Sequence, residues 1–110
     1  MQTWTAQLRK GLIELSVLAV LHDREAYGYQ ILQRLAAVDG LTTGESTVYP
    51  ILARLTHEGC VRVRAAPSPS GPPRRYYRLT SVGEARLREM RSHWILIQSG
   101  LDQLLQETER

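Results

Sequence analysis

Ser46, Thr47, Tyr49, Arg54 and His57 bring two hydroxyls, a phenol, a guanidinium and an imidazole into one short window. Such groups exchange hydrogen bonds with base edges and phosphate oxygens, so a helix presenting them on one side could read a DNA groove. The spacing supports a helix: Val48, Ile51, Leu52 and Leu55 fall at i, i+3, i+4 and i+7, with the polar groups and Pro50 on the other side. Glu45 sits in the first turn, where the helix dipole favours a carboxylate, and Gly59 follows the last apolar turn as a left-handed terminator. Thr43 or Gly44 would cap the N-terminus. Pro50 either bends a helix that starts near Glu45 or is itself the first helical position; the expectation is a slightly bent first turn rather than a late start. Both readings leave Ser46 to Tyr49 near a helix N-terminus, whose free N–H groups suit a phosphate.

The segments before this window must position it. Thr5 to His22 is predicted as one helix, with Leu8, Leu12, Leu15, Leu18 and Leu21 repeating every three or four residues. A polar connection, Asp23 to Ala26, leads to a second helix from Tyr27 to Val38, carried by Ile31, Leu32, Leu35 and Val38. Gly28 near its start predicts close packing between helices, and Asp39-Gly40 ends it.

After Gly59, Val61 and Val63 alternate with Arg62 and Arg64, a strand whose arginines face away from the core. Ala65 to Pro73 contains four prolines, two serines and a glycine and is a turn or loop, after which Arg74 to Leu79 returns as a second strand. Tyr76 and Tyr77 then point to opposite faces. Three helices followed by a basic hairpin is the order of a winged helix-turn-helix, a mainly α (α+β) fold whose third helix enters the major groove.

The net charge of +3 hides a segregation: residues 1–59 carry −1, residues 60–92 carry +6 and residues 93–110 carry −2. No acid occurs between Glu58 and Glu84, and thirteen of the fourteen bases are arginine, the better residue for bidentate phosphate and guanine contacts. Taken alone, the patch is equally a solvated strand face.

Thr80 or Ser81 would cap a last helix, and Ser81 with Glu84 has capping-box spacing. Along it Leu87, Met90, Trp94, Ile97, Leu101 and Leu104 step by alternating threes and fours, an a/d heptad stripe. A helix of roughly 25 residues is about 37 Å long, more than a three-helix core covers, so the surplus seam predicts the same helix of a second subunit. Residues 1–80 are expected to form the winged domain and residues 81–110 the dimerisation helix, as one compact unit.

Several classes are excluded on the same residues. The longest strongly apolar stretch, Leu15 to Leu21, is too short to span a bilayer, and the expected location is the cytoplasm. Cys60 is the only cysteine, so no internal disulfide forms. His22, His57 and His93 lack structural-zinc spacing; Glu89 and His93, one turn apart, could offer half a site across a dimer, but no metal or cofactor is expected. No nucleophile, base and acid stand in a catalytic pattern, so an enzyme is not expected.

Gly28-Tyr29-Gln-Ile, Ser46-Thr-Val-Tyr-Pro-Ile-Leu-Ala-Arg-Leu55, Glu58-Gly59 and Arg74-Arg-Tyr-Tyr-Arg-Leu-Thr80 with Gly83 resemble the PadR family of bacterial transcriptional regulators. The match runs from about Leu8 to Leu104, and the single C-terminal helix resembles the short subgroup. The resemblance implies a homodimeric winged-helix repressor that binds a pseudo-palindromic operator and is released by a small molecule or other signal. By motif position it implies that Ser46, Thr47, Tyr49, Pro50 and Arg54 face DNA and that Arg74 and Arg75 form the basic wing. Tyr49 either contacts a phosphate or packs the helix onto the wing. The tip Pro67 to Pro73 is more proline-rich than the family's usual glycine-rich turn, and Gly44 stands where a serine cap is common.

Similar multidrug-responsive regulators hold flat aromatic ligands between tryptophans of two subunits. That implies either stacking of an aromatic effector on Trp94, with Leu8, Leu12, Ser92 and Ile97 as neighbours, or a Trp94 that fills the dimer core. The competing reading of the whole chain is a protein-interaction or ligand-binding module whose arginines are only solubilising.

Overall fold

Residues 4–109 are described by a computed structural model. The expected first helix is two helices, α1 (Trp4–Lys10) and α2 (Ile13–Val20), broken at Gly11 and Leu12. Glycine is a poor helix former, and here the Leu12 N–H turns back to the Arg9 carbonyl at 2.8 Å, closing α1 early. The break separates two environments: Ile13, Val17 and Leu18 are buried, whereas Trp4 and Leu8 are exposed.

Asp23, at φ 62°, turns the chain, and Ala26–Tyr27 forms a short strand, β1, where a plain connection was expected. The second helix, α3 (Gly28–Ala36), is correspondingly shorter than expected at both ends, and the Tyr27 N–H is met by Gln30 Oε1 at 3.0 Å. The third helix, α4 (Glu45–His57), begins at Glu45 with Pro50 inside it, as expected. Gly44 caps it without a side chain. Its end is a Schellman motif: Gly59 adopts φ 79°, its N–H donates to the Thr56 carbonyl at 3.1 Å, and the Cys60 N–H reaches the Leu55 carbonyl at 2.9 Å.

Strands β2 (Val61–Ala66) and β3 (Arg74–Leu79) pair antiparallel, and β1 adds to the other edge of β3 in the order β1-β3-β2. The register sets Val61 opposite Leu79 and Val63 opposite Tyr77 on the core face, and Arg62 opposite Arg78 and Arg64 opposite Tyr76 on the outer face. Val48, Leu52 and Leu55 of α4 close the core with Ile31 and Leu35 of α3 and with Cys60.

The last helix, α5 (Ser81–Glu107), runs 27 residues, about 40 Å at 1.5 Å per residue. Its cap is Thr80, whose hydroxyl accepts from the Gly83 N–H at 3.1 Å and donates to the Gly59 carbonyl at 2.6 Å. The expected Ser81–Glu84 capping box does not form, because Thr80 takes the N-cap and places Ser81 inside the first turn; the Glu84 carboxylate lies 2.9 Å from His22 Nδ1 instead. The other His22 nitrogen lies 3.1 Å from Asp23, so this imidazole ties the end of α2 to the first turn of α5. Gly83 allows a close approach: a Cβ there would stand 2.1 Å from the Cys60 carbonyl oxygen. Leu87 and Met90 pack on the core and Trp94 is half-buried, whereas Ile97, Leu101 and Leu104 are exposed. Among the described residues no helix is long and apolar enough to cross a membrane.

Candidate nucleic-acid interface

With Val48, Leu52 and Leu55 turned inward, helical geometry puts Ser46, Pro50, Ala53 and His57 opposite them, and all four are exposed. Thr47 and Tyr49 flank this front, Thr47 half-buried and Tyr49 39% exposed. Ala53 was not singled out from sequence, since it carries no polar group; its small side chain leaves the middle of the front open.

The Tyr49 ring lies across the start of α3. A Cβ on Gly28 would meet the Tyr49 hydroxyl at 2.4 Å and its ring carbons at 2.5 and 2.8 Å, so the close packing expected of Gly28 is with this tyrosine. Burial pushes the Tyr49 phenol above its ordinary value, with the Glu45 charge adding to the effect, so the group stays a neutral donor. Beyond it opens a groove of about 590 Å³ between α4 and the hairpin, lined by Tyr29, Tyr49, Pro73, Arg74, Arg75 and Tyr77, among others. Tyr29, 58% exposed, is an element of this groove that helical periodicity on α4 could not reveal.

The hairpin arginines are not equivalent. Arg64 is held by Glu25, with Nε 2.9 Å from Oε2, and stacks over Tyr76 at 4.7 Å; Arg64 in turn keeps the Glu25 carboxyl below its ordinary value. Arg74 stacks over Tyr27 at 4.4 Å, and Tyr27 meets Tyr76 edge to face at 5.5 Å. Arg75, on the same strand face as Tyr77 and so on the side of α4, is exposed and has no ion pair among the described residues. Arg74 and Arg75 therefore leave β3 on opposite faces, one braced by an aromatic ring and one free.

Arg54, expected to face DNA, is paired with two carboxylates within the fold. Its guanidinium contacts Glu14 of α2 directly and lies 3.4 Å from Glu58. Those carboxylates, Glu14 foremost, raise its pKa above the ordinary value, so its charge is already matched on the flank of α4 toward α2. It ties α4 to α2 through Glu14 and stays 47% exposed.

Between the α1–α2 break and α5 lies a second concavity of about 280 Å³, lined by Leu12, Leu15, Met90, Trp94 and Ile97 and by Arg86, Glu89 and His93. It gathers three of the five residues expected around an aromatic ligand. Leu8 lies outside it, on the far side of the break and 64% exposed, and Ser92 is exposed with its hydroxyl turned back to the Arg88 carbonyl at 3.1 Å.

Comparison with known proteins gives this geometry a context. The model of the "Transcriptional regulator PadR-like family" matches residues 17–89. A PadR family transcriptional regulator from Eggerthella lenta is 33% identical, with 93% of this chain and 88% of that one covered at a TM-score of 0.83. A PadR-like transcriptional regulator from Bacillus cereus is 30% identical over 91% of this chain and 97% of its own, with a TM-score of 0.79. Bacillus subtilis PadR, solved in complex with operator DNA, is 26% identical over 72% of this chain and 46% of its own longer chain, with a TM-score of 0.67.

Proposed function

The chain belongs to the PadR-like family of transcriptional regulators and is a regulator rather than an enzyme, and from that premise we propose that it is a homodimeric repressor of a pseudo-palindromic operator. The observation that carries the reading is the exposed front of α4 beside the unpaired Arg75, with the Tyr49 groove between them. Ser46, Thr47, Pro50 and His57 read base edges or position the helix N-terminus on a phosphate, while Arg74 and Arg75 grip the neighbouring backbone. The operator-bound PadR of Bacillus subtilis supports the same use of this fold.

The dimer follows from the surplus seam. Ile97, Leu101 and Leu104 are apolar yet between 47% and 61% exposed, and a second α5 about a two-fold axis would cover them. Residues 1–80 then act as the reader and residues 81–110 as the spacer that sets the two copies of α4 about 34 Å apart, one turn of DNA. A flat aromatic effector in the cleft beside Trp94 is the releasing signal, and the protein works in the cytoplasm, where its DNA is.

The test is a mobility-shift titration with the DNA upstream of the chain's own gene, run at several salt concentrations. The expected result is a sequence-dependent complex that survives competitor DNA, and Arg75→Ala weakens binding to all DNA and lowers the salt slope by about one. An interaction module with solubilising arginines would give no salt-resistant, sequence-dependent complex, and that outcome overturns the reading.

A further inference from the structure

Glu14, Arg54, Glu58 and Arg86 close a ring of alternating charge across three helices. Arg86 Nη1 lies 2.6 Å from Glu58 Oε1 and 3.8 Å from Glu14 Oε2, while Arg54 contacts Glu14 directly and reaches Glu58 at 3.4 Å. Each arginine thus touches both acids. Glu14 belongs to α2, Arg54 and the C-cap residue Glu58 to the recognition helix α4, and Arg86 to α5. Arg86 holds the Glu58 carboxyl below its ordinary value, with Arg54 assisting. An isolated exposed pair contributes little, but these four side chains are only 20% to 47% exposed, and removing one member of the cycle breaks two contacts.

Arg86 alone of the four also lines the 280 Å³ cleft, with Trp94, Met90 and Leu12. One guanidinium therefore forms part of the cleft wall and part of the clamp on α4. We propose that Arg86 is a positioning residue for the recognition helix and that occupancy of the cleft reaches that helix through it. An occupant whose polar edge engages Arg86 competes with Glu58 for the guanidinium, opens the ring and loosens the C-terminal end of α4 from α5, leaving Arg54–Glu14 as its one remaining charged tie in the ring. The consequence for transcription rests on the DNA-binding reading above; the mechanical link does not.

The experiment uses the full chain and 1-anilinonaphthalene-8-sulfonate, an aromatic anion that reports its own binding by fluorescence. Amide hydrogen exchange is followed across Glu45–Glu58, with Trp94 quenching as the sign that the cleft is occupied and Trp94→Phe as its control. In the wild type the probe should quench Trp94 and speed exchange from Leu52 to Glu58 about fivefold, the low end of site-to-site couplings. Arg86→Met keeps the apolar stem in the wall but removes the charge; its exchange should be fast without the probe and unchanged with it. Arg86→Lys should restore part of the protection, and Glu14→Gln should mimic the loss while binding the probe as tightly as wild type. Equal exchange in Arg86→Met and wild type overturns the proposal, as does Trp94 quenching that leaves α4 unaltered, or no quenching at all. If exchange responds as expected while the upstream DNA is not bound, the functional reading fails and the link through Arg86 stands.

Discussion

The two halves of α5 follow one heptad rule and reach different environments. Leu87 and Met90 pack on the core, and the same stripe continued through Ile97, Leu101 and Leu104 meets open space. Periodicity records that a seam exists; it does not say what covers it. The hairpin repeats the contrast with charge in place of apolar surface. Arg64 is matched by Glu25 and stacked on Tyr76, while Arg75, also on an exposed strand position, is left without a carboxylate among the described residues. In both places the partnered member builds the fold and the unpartnered member is free to meet another molecule.

The sharpest way to break the comparison is to put the same charge into both halves of the stripe. Leu101→Glu should leave the fold intact and weaken the dimer at least about a hundredfold, roughly 3 kcal/mol, by burying a carboxylate in the seam of each subunit. Light scattering should then show monomers, and an intact dimer would remove the proposed pairing. Leu87→Glu should instead destabilise the monomer itself by about 3 kcal/mol, visible as a lowered melting temperature. Gly83→Ala tests the inner half without charge: its Cβ would stand 2.1 Å from a backbone carbonyl, which cannot rotate away as a side chain would. About 2–3 kcal/mol should be lost in thermal unfolding. An alanine tolerated there would mean that α5 does not sit so close to Cys60.

At the hairpin the expected effect is smaller. Arg75→Ala should cost more DNA affinity than Arg74→Ala, by about 1 kcal/mol, because Arg74 is already stacked on Tyr27 and does not reach the backbone as freely. Fluorescence anisotropy with one labelled duplex at fixed salt compares them directly. Equal losses would show that both arginines meet DNA alike.

Much of this arrangement was legible in the chain. The alternation of Val61 and Val63 with Arg62 and Arg64 foretold both faces of β2, and Tyr76 and Tyr77 divided as a period of two requires. The stripe of α4 foretold its buried side, a local property of a helix, and the helix starts at Glu45 rather than at Pro50. What stayed hidden was set by contacts between distant segments. β1 spans two residues, too few for any alternation, and exists because Tyr27 finds Tyr76. Arg54 carried a local partner in Glu58, one turn on, but its direct contact, Glu14, lies forty residues away on α2, where no local pattern points. The same holds for the contact of His22 with Glu84, sixty-two residues apart.

The smallest effect belongs to the partnered side, and pH isolates it. Arg86, then Arg54, depress the Glu58 carboxyl below its ordinary value of 4.5. A depressed carboxylate contributes stability that is fully present above the unfolded value and is lost as pH falls through the folded one. The melting temperature of wild type minus that of Glu58→Gln should therefore be positive and flat from neutral pH down to about 5, then shrink toward zero only in more acidic solution. Glu25→Gln should behave the same way, since Arg64 depresses Glu25 in the same sense. The two differences separate in their structural readout: losing Glu25 loosens the turn into β1 and the hairpin, whereas losing Glu58 loosens the end of α4. A difference that persists unchanged well below the ordinary carboxylate range would mean that Glu58 acts through packing rather than charge, and the ring would then be a set of neighbours and not a clamp.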